Sequence, residues 1–435
     1  MTLSEWKDKN LTKKMYAHFD KRVTINDAWD YICSPEIVAK HGFYPFIHYI
    51  QEFNKYSQAT GIKPKKREIC YSAHLDRCIY QYYSFLLNEK YNIRVNRDGL
   101  NTVAVAYRNN LGYNNIDFSK LAFNFIKKFK SCYIMVGDFT SFFDNLDHQY
   151  LKKRLCDLLE VDILPPDYYA VYKNITRYAK WELSDLLKLN GLSNSKADRH
   201  KLNSKESILT LEQFKKYKKQ YVSKHSEPYG IPQGSAISAV LANIYMLNAD
   251  KDINEYIHKC NGMYMRYSDD FIVIIPTAQE QFKCHYEWIM SYLKTLSGIE
   301  LSPEKTKLFK YDSYNISCCN TELGITAGNE KNILNFLGFS FDGKEITIRD
   351  KTISKYYYKM YRKARTISKK KLITNKGNRI SCKNLYEKHS IKGAKDNRGN
   401  FLTYVYHANK AYQHGEPIGR ATKNHMAKIR KALNE

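Results

Sequence analysis

The sequence predicts a fold that contains both α-helices and β-strands, and three segments support this prediction. Residues 132–138 are rich in β-branched and aromatic side chains, as in a buried strand, and leucines at helical spacing from Leu151 to Leu159 indicate a helix after it. Residues 262–275 hold two apolar runs around a polar tip, which predicts a β-hairpin. Residues 229–247 hold a Gly/Pro turn followed by apolar residues at helical spacing, which predicts a turn leading into a helix.

The composition points to a polyanionic partner. The chain has 435 residues, enough for about three domains or one large multi-lobed unit. Lysine and arginine number 70 against 44 acidic residues, a net charge of +26, and 37 residues are tyrosine. An excess of both cations and flat rings suits nucleic acid, although a basic but otherwise ordinary enzyme would share it.

Cysteine usage and hydropathy exclude two classes of protein. The ten cysteines form no CxxC pair, and the polar N-terminal residues lack a signal or transit pattern. We therefore expect reduced thiols and a cytoplasmic location, and a disulfide-framework fold is excluded. No apolar run approaches the roughly 18 residues of a membrane span, so we expect no membrane partner.

Aspartates stand at the ends of the predicted strands. Asp138 ends the first strand, and Asp269 and Asp270 lie at the tip of the hairpin. Ionised carboxylates beside apolar strands are costly unless they are paired or bind a metal. Two hard divalent cations about 4 Å apart need oxygen ligands from more than one strand, and Asp138 with Asp269 would supply them. Either motif alone could equally be a hairpin with an acidic turn.

The order of the motifs is more specific than any one of them. Five blocks follow one another: D-x4-F from Asp138, G-I-P-Q-G-S at 230–235, Y-S-D-D at 267–270, the segment 298–307, and N-F-L-G-F at 335–339. In this order they resemble motifs A to E of reverse transcriptases, specifically the prokaryotic branch that includes group II intron enzymes, retrons and defence-associated types. Upstream, the K-K-R run at residues 65–67 and the D-R pair at residues 76–77 resemble the fingers signature, so the resemblance covers about residues 60–345.

The resemblance implies a right-hand polymerase of class α+β. Residues 1–130 would form the fingers and N-terminal region, and residues 131–345 the palm, an antiparallel sheet backed by helices. Residues 184–226 are polar and are expected to be an insertion in a loop of the palm. Residues 346–435 would form a basic, helical thumb that also holds RNA.

The resemblance also implies the catalytic residues of an RNA-directed DNA polymerase. Asp138 and Asp269 would bind metal, Asp270 would be the third carboxylate, and the backbone carbonyl of Phe139 would add a ligand. Two Mg²⁺ ions, or Mn²⁺, would activate the primer 3′-hydroxyl and hold the triphosphate.

Residues that select and bind the nucleotide follow from the same resemblance. Phe143 occupies the position of an aromatic gate against the ribose 2′-hydroxyl, which predicts dNTP substrates; the alternative is a core ring, a role we expect for Phe142. RNA-copying RNA polymerases usually carry a small or polar residue at this position. Gln233 resembles the residue that braces the template base and the incoming nucleotide.

Several cations would contact the triphosphate or the template. Lys305 or Lys307 resembles the lysine that protonates the leaving pyrophosphate, although both could simply be solvated. Lys65 and Arg67 would contact the triphosphate and the template backbone. Arg77 would do so as well, or would instead pair with Asp76 or a helix terminus.

The C-terminal segment carries most of the excess charge. Residues 346–435 contain 23 Lys and Arg against 5 acidic residues, a net of +18. A helix is predicted from Lys355 to Lys371, with some tyrosines packed inward and the cations on another face. We expect contacts to nucleic acid from Tyr357, Lys359, Arg362 and Lys363; the alternative is a solvated helix face.

Differences from better-known reverse transcriptases narrow the choice of subfamily that the sequence resembles. The chain ends about 90 residues after the last motif, without the maturase or endonuclease extensions, and S-F-D-G-K-E-I follows Phe339 where retron enzymes have Val-Thr-Gly. It resembles most the "unknown group" reverse transcriptases of bacterial antiphage systems, which implies a cognate structured non-coding RNA as template and a DNA product. The alternatives are a retron-type or intron-derived enzyme and a non-catalytic RNA-binding scaffold. The sequence leaves the oligomeric state open.

Overall fold

The structure is a computed structural model, and its described residues form two compact units that interleave along the chain. It describes residues 2–57, 61–108, 110–302, 305–324, 331–369, 373, 380–394, 399–413 and 415–434. Unit 1 comprises Met1–Leu111, Phe139–Asn254 and Ile289–Glu300. Unit 2 comprises Gly112–Asp138, Glu255–Trp288 and Leu301–Glu435. The predicted boundaries after residues 130 and 345 coincide with no boundary of either unit, and the division into fingers, palm and thumb stays a prediction.

Helices are distributed over the whole chain. In chain order they are α1 Leu3–Lys9, α2 Trp29–Ile32, α3 Pro35–Ala39, α4 His74–Arg97, α5 Asn115–Lys127, α6 His148–Leu159, α7 Pro166–Thr176, α8 Leu183–Leu189, α9 Lys196–Ser204, α10 Leu211–Tyr221, α11 Ser238–Lys259, α12 Gln279–Thr295, α13 Asp350–Lys369, α14 Lys383–His389, α15 Ile391–Ala394, α16 Phe401–Ala411 and α17 His425–Asn434. None of these helices is long and apolar enough to cross a membrane, as far as the described residues go.

The strands form three sheets. In chain order they are β1 Phe46–Ser57, β2 Gly61–Tyr71, β3 Ser131–Asp138, β4 Ala179–Glu182, β5 Val222–Lys224, β6 Met263–Tyr267, β7 Asp270–Ile275, β8 Lys307–Asp312, β9 Asn315–Cys318, β10 Leu334–Phe336, β11 Phe339–Phe341 and β12 Ile346–Ile348. The strand orders are β2-β1-β4-β5, β6-β7-β3-β8-β9 and β10-β11-β12. Helices and mainly antiparallel sheets coexist, which confirms the predicted α+β class.

The segment 184–226, predicted as an insertion in a loop of the palm, contains helices and a strand and packs in the core of unit 1. It forms α8, α9, α10 and β5, and β5 pairs with β4, which in turn pairs with β1. Trp181 is fully buried there together with the apolar side chains of α8 and the residues after α9. Periodicity did not predict these elements, because leucines separated by polar residues show no clear period, yet they meet on one surface once β1 and β4 pair.

The five-stranded sheet β6-β7-β3-β8-β9, called here the central sheet of unit 2, confirms the strand and the hairpin predicted from the sequence. The strand predicted at residues 132–138 is β3, and seven of its eight residues are buried because both β7 and β8 pair with it. The hairpin predicted at residues 262–275 is β6 and β7. The N-F-L-G-F block forms a second hairpin, with β10 and β11 antiparallel.

The predicted basic helix is α13, which begins five residues before the expected start. Its last described residue is Lys369, and residues 370–372 lie outside the described part of the chain. Tyr356, Met360 and Ala364 are buried against α14, α16 and α17. This spacing of four residues places one apolar stripe toward the core of unit 2 and leaves the cations on the other faces.

Burial of His18 makes unit 1 sensitive to acid. His18 is fully buried, and burial followed by repulsion from His74 lowers its pKa to about 3. An unfolded chain protonates this histidine below about pH 6.5, whereas the folded protein does not. Stability is therefore lost as the pH falls from 7 to 5, by about 2 kcal/mol for this one group.

We expect His18→Gln to remove that part of the pH dependence. The difference between the free energies of unfolding at pH 7 and pH 5, measured by urea titration, should shrink by about 2 kcal/mol. His200→Gln, at an exposed position of α9, is the control and should match the wild type. A His18→Gln protein with the wild-type pH dependence would contradict the assignment.

Candidate active site

Two of the predicted carboxylates stand opposite each other at the edge of the central sheet of unit 2. Asp138 is the last residue of β3 and Asp270 the first residue of β7, and the antiparallel register pairs them directly. Asp138 is buried, and its backbone oxygen accepts a hydrogen bond of 2.9 Å from the N–H of Ser302. The apolar ladder behind them positions both aspartates, because each strand can be paired in register only one way without exposing its core side chains.

The third carboxylate, Asp269, lies in the tight turn of the β6–β7 hairpin. Ser268 before it has φ +63°, a left-handed conformation that such a turn requires. The fully buried Arg266 donates a 2.9 Å hydrogen bond from Nη1 to the carbonyl oxygen of Ser268 and holds the turn. Sequence reasoning missed Arg266, although an arginine within the apolar run M-Y-M-R-Y is a visible signal.

The carboxylates repel one another. Partial burial, and then the charges of Asp269 and Asp138, raise the pKa of Asp270 to about 7. Lys305 opposes this shift, and its ammonium group contacts the carboxylate of Asp138. The structure thus distinguishes the two candidate lysines: Lys305 touches the acidic pair, whereas Lys307 begins β8 opposite Val136.

The donor chemistry suits a hard divalent cation. Two carboxylates held side by side against their repulsion, Asp138 and Asp270, offer the oxygen ligands that Mg²⁺ prefers. Among the described residues, no group of three His, Cys, Asp or Glu side chains converges in the geometry of a metal site. The arrangement therefore fits a cation held by the Asp138 and Asp270 pair, and the part of Asp269 as a ligand stays a prediction.

The predicted nucleotide-selecting residues, Phe143 and Gln233, lie close together in unit 1. Phe142 is buried, as expected for the core ring, while Phe143 is half-buried. The carbonyl oxygen of Phe143 accepts a 2.9 Å hydrogen bond from the N–H of Ile231. Gln233 donates from Nε2 to Oδ1 of Asp144 at 3.5 Å, a contact that sequence reasoning missed. The loop that contains Ile231 and Gln233 therefore also fixes the backbone of Phe143.

Close backbone approach holds that loop in place. The backbone N–H of Cys70, near the end of β2, donates to the carbonyl oxygen of Gln233 at 2.8 Å. Gly234 has φ +110°, and a Cβ there would lie 2.5 Å from the carbonyl oxygen of Cys70. Gly230 has φ +91°, with the carbonyl oxygen of Asp144 at 2.8 Å from its Cβ position. Only glycine fits either position without displacing backbone.

The candidate phosphate-binding cations of unit 1 divide into two groups. Lys65 and Arg67 are exposed on β2, where the guanidinium of Arg67 lies 5.4 Å from the centre of the Phe53 ring. Arg77 is buried in α4 and donates to Oε1 of Gln81 at 2.6 Å and to the carbonyl oxygen of Val23 at 2.9 Å. Arg77 therefore has a structural role in this structure, in place of the predicted nucleotide contact.

The C-terminal residues predicted to contact nucleic acid fall into a buried group and a more exposed group. Tyr357 is 8% exposed, and its hydroxyl donates to the carbonyl oxygen of Ala421 at 2.6 Å, so the predicted nucleic-acid contact of this ring is corrected to a core contact. The exposed ring of this helix is Tyr358. Lys359 and Arg362 are exposed, and Lys363 is half-buried beside Asn384.

We expect Gly234→Ala to destabilise unit 1 and Gly42→Ala to be tolerated. The first change places a Cβ against the backbone of β2 in a left-handed conformation and should cost about 1–3 kcal/mol of unfolding free energy. Gly42 has an ordinary φ and no atom within 4 Å of its Cβ position, so Gly42→Ala should be neutral or stabilising by up to about 1 kcal/mol. Urea unfolding measures both, and equal effects would contradict the close-approach argument.

Comparison with known proteins identifies the domain. Residues 185–341 match the sequence model described as "Reverse transcriptase (RNA-dependent DNA polymerase)". This range includes the G-I-P-Q-G-S and Y-S-D-D blocks, whereas Asp138 and the fingers signature precede it. No curated protein matches the chain.

Solved structures with similar folds include yeast telomerases. Apo telomerase of Candida tropicalis truncated from its C-terminal domain is 17% identical over 75% of this chain and 61% of its own, with a TM-score of 0.42. The apo enzyme without that truncation is 13% identical over 98% of this chain and 73% of its own, with a TM-score of 0.42. Candida albicans telomerase in complex with a fragment of telomeric RNA is 13% identical over 99% and 64%, with a TM-score of 0.40.

The family match and the sequence motifs agree on the chemistry. The matched range contains the hairpin that carries Asp269 and Asp270, and reverse transcriptase domains generally use divalent metal ions. This confirms the reverse transcriptase domain predicted from the sequence, while the assignment to the antiphage branch stays a prediction. Residues 185–341 therefore match a reverse transcriptase domain, which indicates an RNA-directed DNA polymerase, and the chain spans 61% of the length of the truncated telomerase that it matches.

Proposed function

We propose that this polymerase adds dNTPs to a primer by a two-metal mechanism centred on Asp138, Asp269 and Asp270. The observation that carries the proposal is the direct pairing of Asp138 with Asp270 at the ends of β3 and β7. Bound divalent cations supply a lowered pKa for the primer 3′-hydroxyl and neutralise charge on the triphosphate. The aspartates would hold these ions, and Arg266 keeps the turn that carries Asp269 in one conformation.

Lys305 is the better candidate for a lysine that acts on the departing pyrophosphate. Its ammonium group contacts the carboxylate of Asp138, so it lies at the edge of the sheet where the reacting phosphates are proposed to bind. A cation there balances the negative charge of the aspartates and has a proton to donate. Lys307 has no such contact with Asp138 among the described hydrogen bonds and ion pairs.

Nucleotide selection is assigned to the loop of unit 1 that holds Phe143 and Gln233. The carbonyl oxygen of Phe143 accepts a hydrogen bond from the N–H of Ile231. The carbonyl oxygen of the nearby Gln233 accepts one from the N–H of Cys70, near the end of β2. A half-buried ring on a fixed backbone suits a steric gate, since a mobile ring would discriminate poorly against a single hydroxyl. Lys65 and Arg67 are exposed on the same β2 strand, and we propose that they contact phosphates.

The biological setting that we propose is antiphage defence. The motif order and the S-F-D-G-K-E-I segment after Phe339, where retron enzymes have Val-Thr-Gly, support an antiphage enzyme that copies a cognate structured non-coding RNA in the bacterial cytoplasm. A retron-type or intron-derived enzyme is the second candidate. The third, a non-catalytic scaffold, is disfavoured by the intact acidic pair beside Lys305.

Replacement of Asp269 and Asp270 by alanine should abolish dNTP incorporation. The fold should survive, because removing two carboxylates also removes repulsion at the end of β7. Primer extension on an RNA template with Mg²⁺ measures activity, and thermal unfolding checks the fold. Asp312→Asn, on an exposed position of β8 in the same sheet, is the control and should retain activity. Wild-type activity in a folded double variant would refute the two-metal assignment.

Phe143→Ala should raise the use of ribonucleotides relative to deoxyribonucleotides. The ring's proposed contribution is steric, so its removal should shift the ratio of kcat/KM for rNTP and dNTP by at least about tenfold, equivalent to about 1.4 kcal/mol. Phe53→Ala, a ring on β1, is the control for general loss of aromatic surface and should leave the ratio unchanged. An unchanged ratio in Phe143→Ala would reassign that ring to packing.

RNA and DNA that co-purify with the protein should identify the template. A cognate RNA predicts that one structured transcript, and DNA complementary to it, dominate the sequenced nucleic acid. The Asp269, Asp270 double variant should retain the RNA and lose the DNA. A retron RNA joined to its DNA, or an intron transcript, would instead support the second candidate.

A further inference from the structure

A cationic groove lies within unit 2, between α13 and the elements α14 to α16. Its volume is about 1380 Å³. The basic side chains that line it are Lys355, Lys359, Arg362, Lys363 and Lys388. The first four occupy positions i, i+4, i+7 and i+8 of α13, so they form a row about 12 Å long on one face of the helix.

Lysines and arginines outnumber carboxylates among the described residues that line this groove. Glu387 is the one carboxylate among them, and it lies 3.8 Å from Lys383 as well. Burial and then repulsion from Lys388 lower the pKa of Lys363, whose contact is the neutral amide of Asn384. A concentration of like charge in a concave surface raises the local potential and favours a polyanionic ligand.

His389 adds a hydrogen-bonding group to the wall. It is 9% exposed, lines the groove, and its Nδ1 has no hydrogen-bond partner among the described residues. Burial, followed by the charges of Lys363, Lys359 and Lys388, lowers its pKa to about 4, so the imidazole is neutral at pH 7. A buried, unpartnered ring nitrogen among lysines is a group that an oxyanion would satisfy.

We infer that this groove binds a single-stranded segment of nucleic acid, with phosphates on the lysine row and His389 hydrogen-bonded to a phosphate oxygen. The inference deepens the proposed function and rests on it for the nature of the partner. The groove is larger than the roughly 300–1,000 Å³ of small-molecule pockets, which favours a polymer over one nucleotide. Lys359 and Arg362 are exposed whereas His389 is buried, and we expect a single strand, which is narrower than a duplex, to reach His389.

An aromatic side chain supports the choice of a single strand. Phe401, at the start of α16, lines the same groove and is partly exposed. Unpaired bases stack on such rings irrespective of their sequence, while the bases of a duplex are already stacked on one another. The Phe401 ring packs on Tyr356, with ring centroids 4.7 Å apart, so only its exposed part can receive a base beside the row of cations.

Fluorescence anisotropy with the full-length protein tests the inference. The probes are a labelled, unstructured single-stranded RNA of about 12 nucleotides and a blunt RNA–DNA hybrid of the same length. Lys359→Glu should weaken single-strand binding at least about tenfold, with a much smaller effect on the hybrid. It should also reduce the slope of log Kd against log salt by about 0.7 for each lost phosphate contact. Lys423→Glu, on an exposed lysine of unit 2 outside the groove, is the matched control.

Two variants of His389 separate hydrogen bonding from packing. His389→Gln keeps an N–H donor and should bind the single strand within about twofold of the wild type. His389→Leu fills similar space without a donor and should bind about fivefold more weakly, with thermal unfolding used to confirm that it is folded. Equal binding by both variants would overturn the role of His389.

The remaining outcomes discriminate between ligands. Equal weakening of single strand and hybrid by Lys359→Glu would assign the groove to duplex and overturn the inference. Competition by millimolar inorganic phosphate or ATP as effective as that of the oligonucleotide would assign it to free phosphate compounds. Failure of the wild type to extend a primer on RNA would refute the proposed function alone, whereas active enzyme with unaltered binding in Lys359→Glu would refute this inference alone.

Discussion

The antiparallel pairing of β3 with β7 is the constraint on which the candidate active site depends. It places Asp138 opposite Asp270 at the end of a sheet whose other residues are apolar, so two carboxylates are held together against their mutual repulsion. This repulsion raises the pKa of Asp270, and the contact of Lys305 with Asp138 partly offsets it. Arg266 and the left-handed Ser268 complete it, since they hold the turn between β6 and β7 in a conformation that a free hairpin would not keep.

Close contacts between backbone segments position the candidate residues of unit 1, whereas charged side chains position those of unit 2. Gly230 and Gly234 let one loop lie directly against the chain around Asp144 and the end of β2, and hydrogen bonds from backbone N–H groups secure it. A loop held by backbone contacts varies little in position, which is the property that a steric gate and a template brace both need. The side chains proposed for nucleotide selection therefore sit on a support that does not depend on their own contacts.

The C-terminal part of unit 2 shows how a core can concentrate surface charge. Tyr356, Tyr357 and Met360 turn inward from α13, and their packing against α14, α16 and α17 fixes the rotation of the helix. The lysines and arginines of the same helix are left on the other faces, and four of them border a groove that Lys388 and His389 of α14 also line. Apolar packing thus determines where the excess positive charge is presented.

The sequence by itself determined the local elements and the identity of the chemistry. The strand at residues 132–138, the hairpin at 262–275, the helix from Lys355 and the buried role of Phe142 were all predictable, because periodicity and turn residues act over a few neighbours. Only the tertiary structure decided which side chains meet. Arg77 and Tyr357 have the composition of binding residues but are buried by contacts with Val23 and Ala421, far away in sequence. The segment 184–226 reads as a polar insertion yet completes the core of unit 1, because its scattered leucines find a common surface when β1 and β4 pair. Such non-local contacts leave no periodic signal in the chain. They decide whether a residue of suitable chemistry lies in a site or is buried elsewhere.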